Sequence, residues 1–154
     1  MLFRSFAVDN LDLDVGQLAW LDQVLSESPA RWRIVYGHNP IYSNVVFRDG
    51  RSGYVNGESE EALLPLLCEH ADLYLAGSSH HGEVLLTDCG LHLVVQGGGG
   101  AGLLDIDAEG ERSLFGAKTF GFTVLAFSED EMEIRMHNDN NEILYTMSLT
   151  ASTR

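Results

Sequence analysis

Histidines at the ends of two apolar segments are the residues in this sequence best suited to chemistry. His38 follows residues 32–36, and the pair His80 and His81 follows residues 73–76, each in a glycine-containing loop. A divalent metal such as zinc binds neutral imidazoles on rigid strand ends, with carboxylates or water at the other positions. Histidines in tight turns also hydrogen-bond loop backbone, so a metal-binding and a structural interpretation both stay open.

Other patterns give less support for chemistry. The four glycines of residues 97–100 could bind phosphate through backbone amides, but without the Lys and Ser/Thr of a P-loop they favour a close-packed loop. Among the acidic residues Asp9, Asp12 and Asp14, the last has the position of a helix N-terminal cap. No Gly-x-Ser-x-Gly motif is present, so the sequence offers little support for a serine hydrolase.

Short strands and two helices must position the histidines. Gln17 follows Asp14 at capping-box spacing, which predicts a helix that ends before Pro29. A second helix is predicted over residues 58–70, with Pro65 at the start or at a kink of its regular part. Residues 43–57 show no hydrophobic periodicity, which predicts a long loop. Strands are predicted at residues 3–8, 32–36, 73–76, 83–86, 91–96, 122–127, 133–137 and 143–149.

These elements predict one α/β domain over residues 1–154, with mixed, largely antiparallel β-sheet layers and two main helices. In such folds ligands bind beyond the carboxyl ends of the strands, where the histidine loops are expected. The chain is acidic, with 9 Lys and Arg against 23 Asp and Glu, which disfavours nucleic acid and anionic membranes as partners. Cys68 and Cys89 have no metal-site spacing and no signal peptide is recognised, so a cytoplasmic location is expected.

Three segments of the chain resemble the purple acid phosphatase branch of the calcineurin-like metallophosphoesterases. Residues 17–21, 32–43 and 72–80 match that branch in order and spacing, and residues 121–145 resemble its closing strands. The resemblance covers nearly all of this chain but only the last half of the family's domain. It therefore implies the C-terminal half of a four-layer α/β sandwich, and a phosphoesterase that acts through metal-bound hydroxide.

The resemblance also implies a set of site residues. His38 occupies the family's Gly-His-x-Pro position and His80 the second histidine of its Gly-His-x-His motif, both metal ligands in the family. The expected metal is Zn, Fe or Mn, with one ion at each site or none. We predict His38, His80 and His81 as catalytic residues, His38 and His80 as metal ligands, and Asn39, Tyr42 and Ser78 as substrate-binding residues.

Two departures from the family pattern predict a reduced or rebuilt metal site. Ser78 stands where the family has the first histidine of Gly-His-x-His, and a hydroxyl is a poor replacement for imidazole. The family's Asp-x-His, Gly-Asp and Gly-Asn-His motifs precede the first residue of this sequence. Half a domain should also leave apolar surface exposed, so a homodimer or a separate N-terminal half is expected as partner.

The favoured hypothesis is a promiscuous, metal-assisted hydrolase of phosphate mono- or diesters. The alternative is an inactive phosphoesterase remnant that serves as an interaction module or as one half of a split enzyme. Tyr42, Phe47 and Tyr54 in and beside the predicted long loop suit a substrate cleft and a dimer contact equally well.

Overall fold

The computed structural model describes residues 1–151, which form twelve strands and two α-helices. The strands are β1 (Phe3–Ala7), β2 (Trp32–Tyr36), β3 (Tyr42–Val46), β4 (Ser52–Val55), β5 (Leu73–Ala76), β6 (Gly82–Leu86), β7 (His92–Gln96), β8 (Asp105–Ile106), β9 (Ser113–Ala117), β10 (Gly121–Phe127), β11 (Glu131–Asn138) and β12 (Ile143–Thr150). The helices are α1 (Val15–Ser26) and α2 (Leu64–His70), and one π-helical turn (Ser59–Leu63) precedes α2. The predicted α/β class with two helices is confirmed.

A six-stranded central sheet positions the histidine loops. Its strand order is β1-β2-β5-β7-β6-β9, with β1, β2, β5 and β7 parallel and β6 antiparallel to β7. The carboxyl ends of β2, β5 and β7 therefore meet along one edge, which we call the carboxyl edge. The loops that follow these three strands contain His38, His80 and Gly97.

The two helices cover one face of the central sheet. Leu21 and Leu25 of α1 and Leu67 of α2 are fully buried, and they belong to one core cluster with Val35 and Tyr74 of the sheet. Burying one leucine side chain contributes about 2 kcal/mol to folding. The helices therefore hold the strands that carry the histidine loops.

The second face of the central sheet packs on the antiparallel sheet β10-β11-β12. Trp32 and Ile34 point to this face, whereas Val35 points to the helices, as alternation along a strand requires. Met132 and Ile134 of β11 are fully buried in this second core. Helix, sheet and sheet thus form three layers, and the small sheet β4-β3-β8 is separate from both larger sheets.

Both predicted helix starts are present in the structure. The Asp14 carboxylate accepts a hydrogen bond from the Gln17 backbone N–H at 2.7 Å, which satisfies one of the free donors of the first turn of α1. Pro65 lies in the first turn of α2, where its missing N–H is tolerated. Local sequence chemistry therefore determines where each regular helix begins.

The predicted long loop over residues 43–57 is wrong. Most of this segment forms the hairpin β3–β4, whose tip is closed by a hydrogen bond from the Phe47 N–H to the Arg51 carbonyl at 2.8 Å. Gly50 and Gly53 have positive φ, and the strand register shifts between Ser43 and Val46. Turn-favouring residues and a bulge hide the alternation that would have predicted these strands.

A disulfide bond joins Cys68 on α2 to Cys89 in the turn between β6 and β7, with the Cα atoms 6.0 Å apart. The sequence analysis made no prediction of pairing for these two cysteines. Disulfides are common in oxidising compartments and rare in the cytosol, so the bond argues against the expected cytoplasmic location. It crosslinks the helical layer to the edge of the central sheet opposite the carboxyl edge.

Exposed apolar side chains are present, as the sequence analysis expected. Phe3 on β1, Phe122 on β10 and Ile143 on β12 are 48%, 44% and 54% exposed. Exposed apolar residues are ordinary on protein surfaces, so they do not by themselves identify an interface. Within residues 1–151 no helix has the length and apolar character needed to cross a membrane.

Candidate functional site

The loop after β2 is anchored by the buried side chain of Asn10. Its Oδ1 atom accepts hydrogen bonds from the backbone N–H groups of His38 and Asn39, both at 3.0 Å. Its Nδ2 atom donates to the Asn39 carbonyl at 2.7 Å. One carboxamide therefore fixes the backbone on which the His38 side chain stands, while the imidazole itself is exposed.

Tyr74 of β5 completes this anchor. Its hydroxyl donates to the Asn39 carbonyl at 2.9 Å and lies 3.0 Å from the Asn10 amide nitrogen. Burial raises the pKa of Tyr74, so the hydroxyl stays a donor at any physiological pH. A Cβ on Gly37 would lie 2.6 Å from this hydroxyl, which explains the glycine before His38. The sequence analysis missed Asn10 and Tyr74, and only the Gly37-His38-Asn39-Pro40 string pointed to their neighbourhood.

The loop after β5 fixes the ring of His80 rather than only its backbone. The His80 Nδ1 atom lies 2.9 Å from the carbonyl oxygen of Gly102. A carbonyl only accepts, so Nδ1 carries the proton and neutral His80 has a free lone pair on Nε2. This is the arrangement in which histidine ligands of metals are commonly held.

Backbone geometry in the His80 loop is unusual. Ser78 has φ of 61°, in the left-handed region that few non-glycine residues adopt. A Cβ on Gly97 would lie 1.9 Å from the Ser79 carbonyl oxygen, so the first glycine of the Gly97–Gly100 run lets two loops approach closely. Close packing, the favoured interpretation of that run, accounts for Gly97. Strained residues of this kind cluster at functional sites.

The two histidine loops lie side by side at the carboxyl edge. The Gly77 N–H donates to the His38 carbonyl at 3.1 Å. A cavity of about 160 Å³, which we call the slot, lies between these loops and the β3–β4 hairpin. Asn39 and Ser78, both predicted to bind substrate, line it together with Phe47 and Tyr54. The structure thus brings together the two loops and two of the three predicted substrate contacts.

His81, the third predicted catalytic residue, lies in the protein interior. Its Nε2 atom is 3.2 Å from both the Ser43 hydroxyl and the Glu83 carboxylate, and all three side chains are buried. Glu83 also accepts the Asn44 N–H at 3.0 Å, which joins β6 to β3. A fully buried ring does not reach a substrate in this conformation, so His81 is left out of the site proposed below. The sequence analysis missed the network of Ser43 and Glu83.

Tyr42, the third predicted substrate contact, faces a different cleft. Its hydroxyl donates to Glu60 at 2.7 Å, and the Arg112 guanidinium lies over its ring at 4.6 Å from the centroid. Burial, followed by the bond to Glu60, raises the pKa of Tyr42 to about 12. The side chain is committed to contacts with the π-helical turn before α2 and with Arg112, which precedes β9, and it does not line the slot.

The carboxyl edge has too few metal-binding side chains for a complete metal centre. His80 has the tautomer of a ligand, and the His38 ring makes no side-chain hydrogen bond within the described residues. Across residues 1–151, however, no group of three or more His, Cys, Asp and Glu side chains is placed to hold a metal ion. Catalytic zinc sites use three protein ligands. The described residues therefore do not fit a whole metal site.

Comparison with known proteins shows which proteins this chain resembles. No protein-family model matches the chain. Purple acid phosphatase 3 of Arabidopsis thaliana is 32% identical over 130 residues, which cover 81% of this chain and 34% of that protein. The chain thus spans about a third of the length of this curated relative.

Solved structures agree on the fold. GAP50, the anchor in the inner membrane complex of Plasmodium, superposes with a TM-score of 0.80 at 22% identity over 99% of this chain and 50% of that chain. A purple acid phosphatase from yellow lupin seeds superposes with a TM-score of 0.81 at 20% identity over 96% of this chain and 31% of that chain. The chain is therefore a purple acid phosphatase-like domain that corresponds to the C-terminal part of that family's fold.

Proposed function

We propose that this domain takes part in the metal-dependent hydrolysis of phosphate mono- or diesters, with His38 and His80 as its metal ligands. One observation carries the proposal. The Nδ1–H group of His80 donates to the Gly102 carbonyl, which leaves Nε2 as a lone-pair donor at the carboxyl edge. His38 stands on the adjacent loop with an exposed ring. Zn, Fe or Mn are the metals expected for imidazole with oxygen ligands.

A bound divalent metal would supply Lewis acidity, which lowers the pKa of water to about 7. The chain's own groups would bind and orient the ester. Asn39 and Ser78 line the slot between the loops, where amide and hydroxyl groups are donors for phosphate oxygens. In the overall reaction the oxygen of water bonds to phosphorus, the ester P–O bond breaks, and the leaving oxygen takes a proton.

Two histidines are too few for the whole metal centre, so the proposal includes a second source of ligands. We propose a reduced or rebuilt site in which the remaining ligands come from a second copy of the chain or from a separate N-terminal half. The relatives support this source, since each extends well beyond the part that the chain covers. Such a site would bind metal weakly in the isolated domain.

Elemental analysis joined to an activity assay tests the proposal. Protein of defined oligomeric state is stripped of metal, resupplied with Zn, Fe or Mn, and assayed for ester hydrolysis beside His38→Ala and His80→Ala. Metal content and activity should both fall in the two variants. His92→Ala, at the amino end of β7 on the opposite edge, is the matched control and should keep both. Full metal content in His38→Ala and His80→Ala would refute the proposed ligands.

A non-catalytic binding domain is the second candidate function. The missing third ligand among residues 1–151 favours it, and GAP50 is described as an anchor although its structure has this fold. In this case the fold would supply a surface for another protein rather than a reaction site. Well-folded protein that takes up no metal and hydrolyses no ester, both as a dimer and with an N-terminal half supplied, would favour this candidate.

A further inference from the structure

The chemistry of the slot is distinct from that of the rest of this acidic chain. Formal net charge is -14, yet no charged residue lines the slot. Its polar groups are Asn39, Ser78 and Ser79, which belong to the two histidine loops. The remaining lining residues are apolar or aromatic. The slot therefore has polar groups from the two loops that carry the candidate metal ligands, and an uncharged wall beyond them.

Two aromatic rings from the β3–β4 hairpin form part of that wall. Phe47 lies at the hairpin tip and Tyr54 on β4, and both line the slot. The Arg51 guanidinium lies over the Phe47 ring at 5.4 Å from its centroid. Aromatic side chains bind flat apolar groups well because they stack with little loss of side-chain freedom.

The size of the slot limits what it can hold. About 160 Å³ is close to the volume of an apolar cavity that admits a single benzene ring. Sites for ligands of drug size measure about 300–1,000 Å³. One six-membered ring fills this space, whereas a nucleoside with its base and ribose would extend out of it into solvent.

We propose that the slot receives the alcohol part of the ester and that this part is a compact, uncharged aromatic group. This inference rests on the proposed function for the position of the phosphate, beside Asn39 and Ser78. The ring of the leaving alcohol then packs between the loops and the pair Phe47 and Tyr54. Leu104, whose N–H donates to the His80 carbonyl at 3.0 Å, also lines the slot and limits its size.

Direct binding of phenol tests the slot independently of any hydrolysis. Phenol is titrated into the wild-type protein, and the aromatic and amide signals of Phe47, Tyr54 and Ser78 are followed by NMR. We expect saturable shifts with a Kd on the order of 1 mM, whereas glycerol at the same concentrations should shift none of these signals. Leu104→Trp fills the slot and should abolish phenol binding. Trp20→Ala, which removes an exposed ring on α1, should leave it unchanged.

Kinetics on two esters then test the role of the slot in specificity. The ratio of kcat/KM for phenyl phosphate to that for glycerol phosphate is compared among variants, so that the different reactivities of the two esters cancel. The ratio should fall about tenfold in Leu104→Trp and about fivefold in Phe47→Ala. Trp20→Ala should keep the wild-type ratio. Circular dichroism and urea midpoints confirm that each variant is folded.

The outcomes separate this inference from the proposed function. Protein that takes up metal and hydrolyses esters but shows no slot shifts with phenol would overturn the inference alone. Phenol bound equally well by Leu104→Trp would overturn it too, because the ligand would then lie elsewhere. Phenol bound in the slot of a protein that takes up no metal, even as a dimer or with an N-terminal half supplied, would support the slot chemistry and contradict the proposed hydrolysis.

Discussion

The two histidine loops are held in opposite ways. The His38 loop is fixed through its backbone, which hydrogen-bonds to the buried Asn10 carboxamide, while its ring is exposed and unrestrained by side-chain bonds within the described residues. The His80 loop is fixed through the ring itself, whose Nδ1 bonds to the Gly102 carbonyl. His80 is therefore oriented before any ligand arrives, whereas the His38 ring must be oriented by the ligand.

Because of this difference, the two loops would contribute differently to metal binding. A pre-oriented imidazole costs little side-chain entropy on binding a metal, whereas a free one costs more. The His80 loop also contains the strained Ser78 and the close contact with Gly97. Changes to the His80 loop should therefore affect folding and ligand geometry together, and changes to the Asn10 anchor should affect mainly the position of His38.

The largest effect is expected for Gly97→Ala. The new Cβ would lie 1.9 Å from the Ser79 carbonyl oxygen, and a backbone atom has no rotamer by which to avoid it. We expect a loss of about 4 kcal/mol in the free energy of unfolding, measured by urea titration. Gly99→Ala is the matched control, since its Cβ would meet no atom within 4 Å. A similar loss in both variants would contradict this explanation.

Removing the disulfide tests whether a change at one edge of the central sheet affects ligand binding at the carboxyl edge. Cys68→Ser with Cys89→Ser opens a crosslink between residues 21 apart, and the chain-entropy estimate is a loss of about 3 kcal/mol. The bond lies at the opposite edge, so phenol binding in the slot should be unchanged at temperatures where the protein is folded. Equal unfolding midpoints for wild type and variant would mean that the cysteines are not paired in solution.

Local patterns explain why much of the fold could be predicted from the sequence. The strand over residues 32–36 and the helix that begins at Asp14 depend on apolar runs and capping residues close in the chain. The hairpin β3–β4 could not be predicted, because glycines and a register shift interrupt its alternation. The strand β8 has only two residues, too few for an alternation of apolar and polar residues to be recognised.

The site was less predictable, because its anchors are distant in sequence. Asn10 reaches the His38 loop 28 residues away, and no local pattern marks an asparagine as such an anchor. His81 resembled its neighbour His80 in sequence but directly precedes β6 with its ring buried, where Glu83 and Ser43 hold it. A one-residue difference at a strand end thus decides between an accessible and a buried ring.

Asn10→Ala should loosen the His38 loop without affecting the His80 loop. The variant leaves the partly buried N–H groups of His38 and Asn39 without their acceptor, which costs about 2 kcal/mol of stability. Amide hydrogen exchange at His38 and Asn39 should accelerate at least about tenfold, while the Gly97 amide, bonded to the His81 carbonyl, should not change.

Asn140→Ala replaces an exposed asparagine and is the control for the Asn10 variant. It should change neither the stability nor the exchange rates of the two loops. Equal acceleration at His38, Asn39 and Gly97 in Asn10→Ala would show that the loops open as one unit. That result would remove the distinction between a backbone-anchored and a ring-anchored histidine.

The smallest effect on stability is expected for Ser78→Gly, which should stabilise the protein, whereas the variants above destabilise it. Ser78 has φ of 61°, a conformation that glycine adopts without steric cost, so this variant should gain about 0.5 kcal/mol of stability. Ser148→Gly, at an exposed position of the extended strand β12, should instead lose about 0.5 kcal/mol. Urea midpoints measure both changes. A loss in Ser78→Gly would mean that the Ser78 side chain stabilises the loop by more than its backbone strain costs, which would make its hydroxyl a structural contact rather than a group free for substrate.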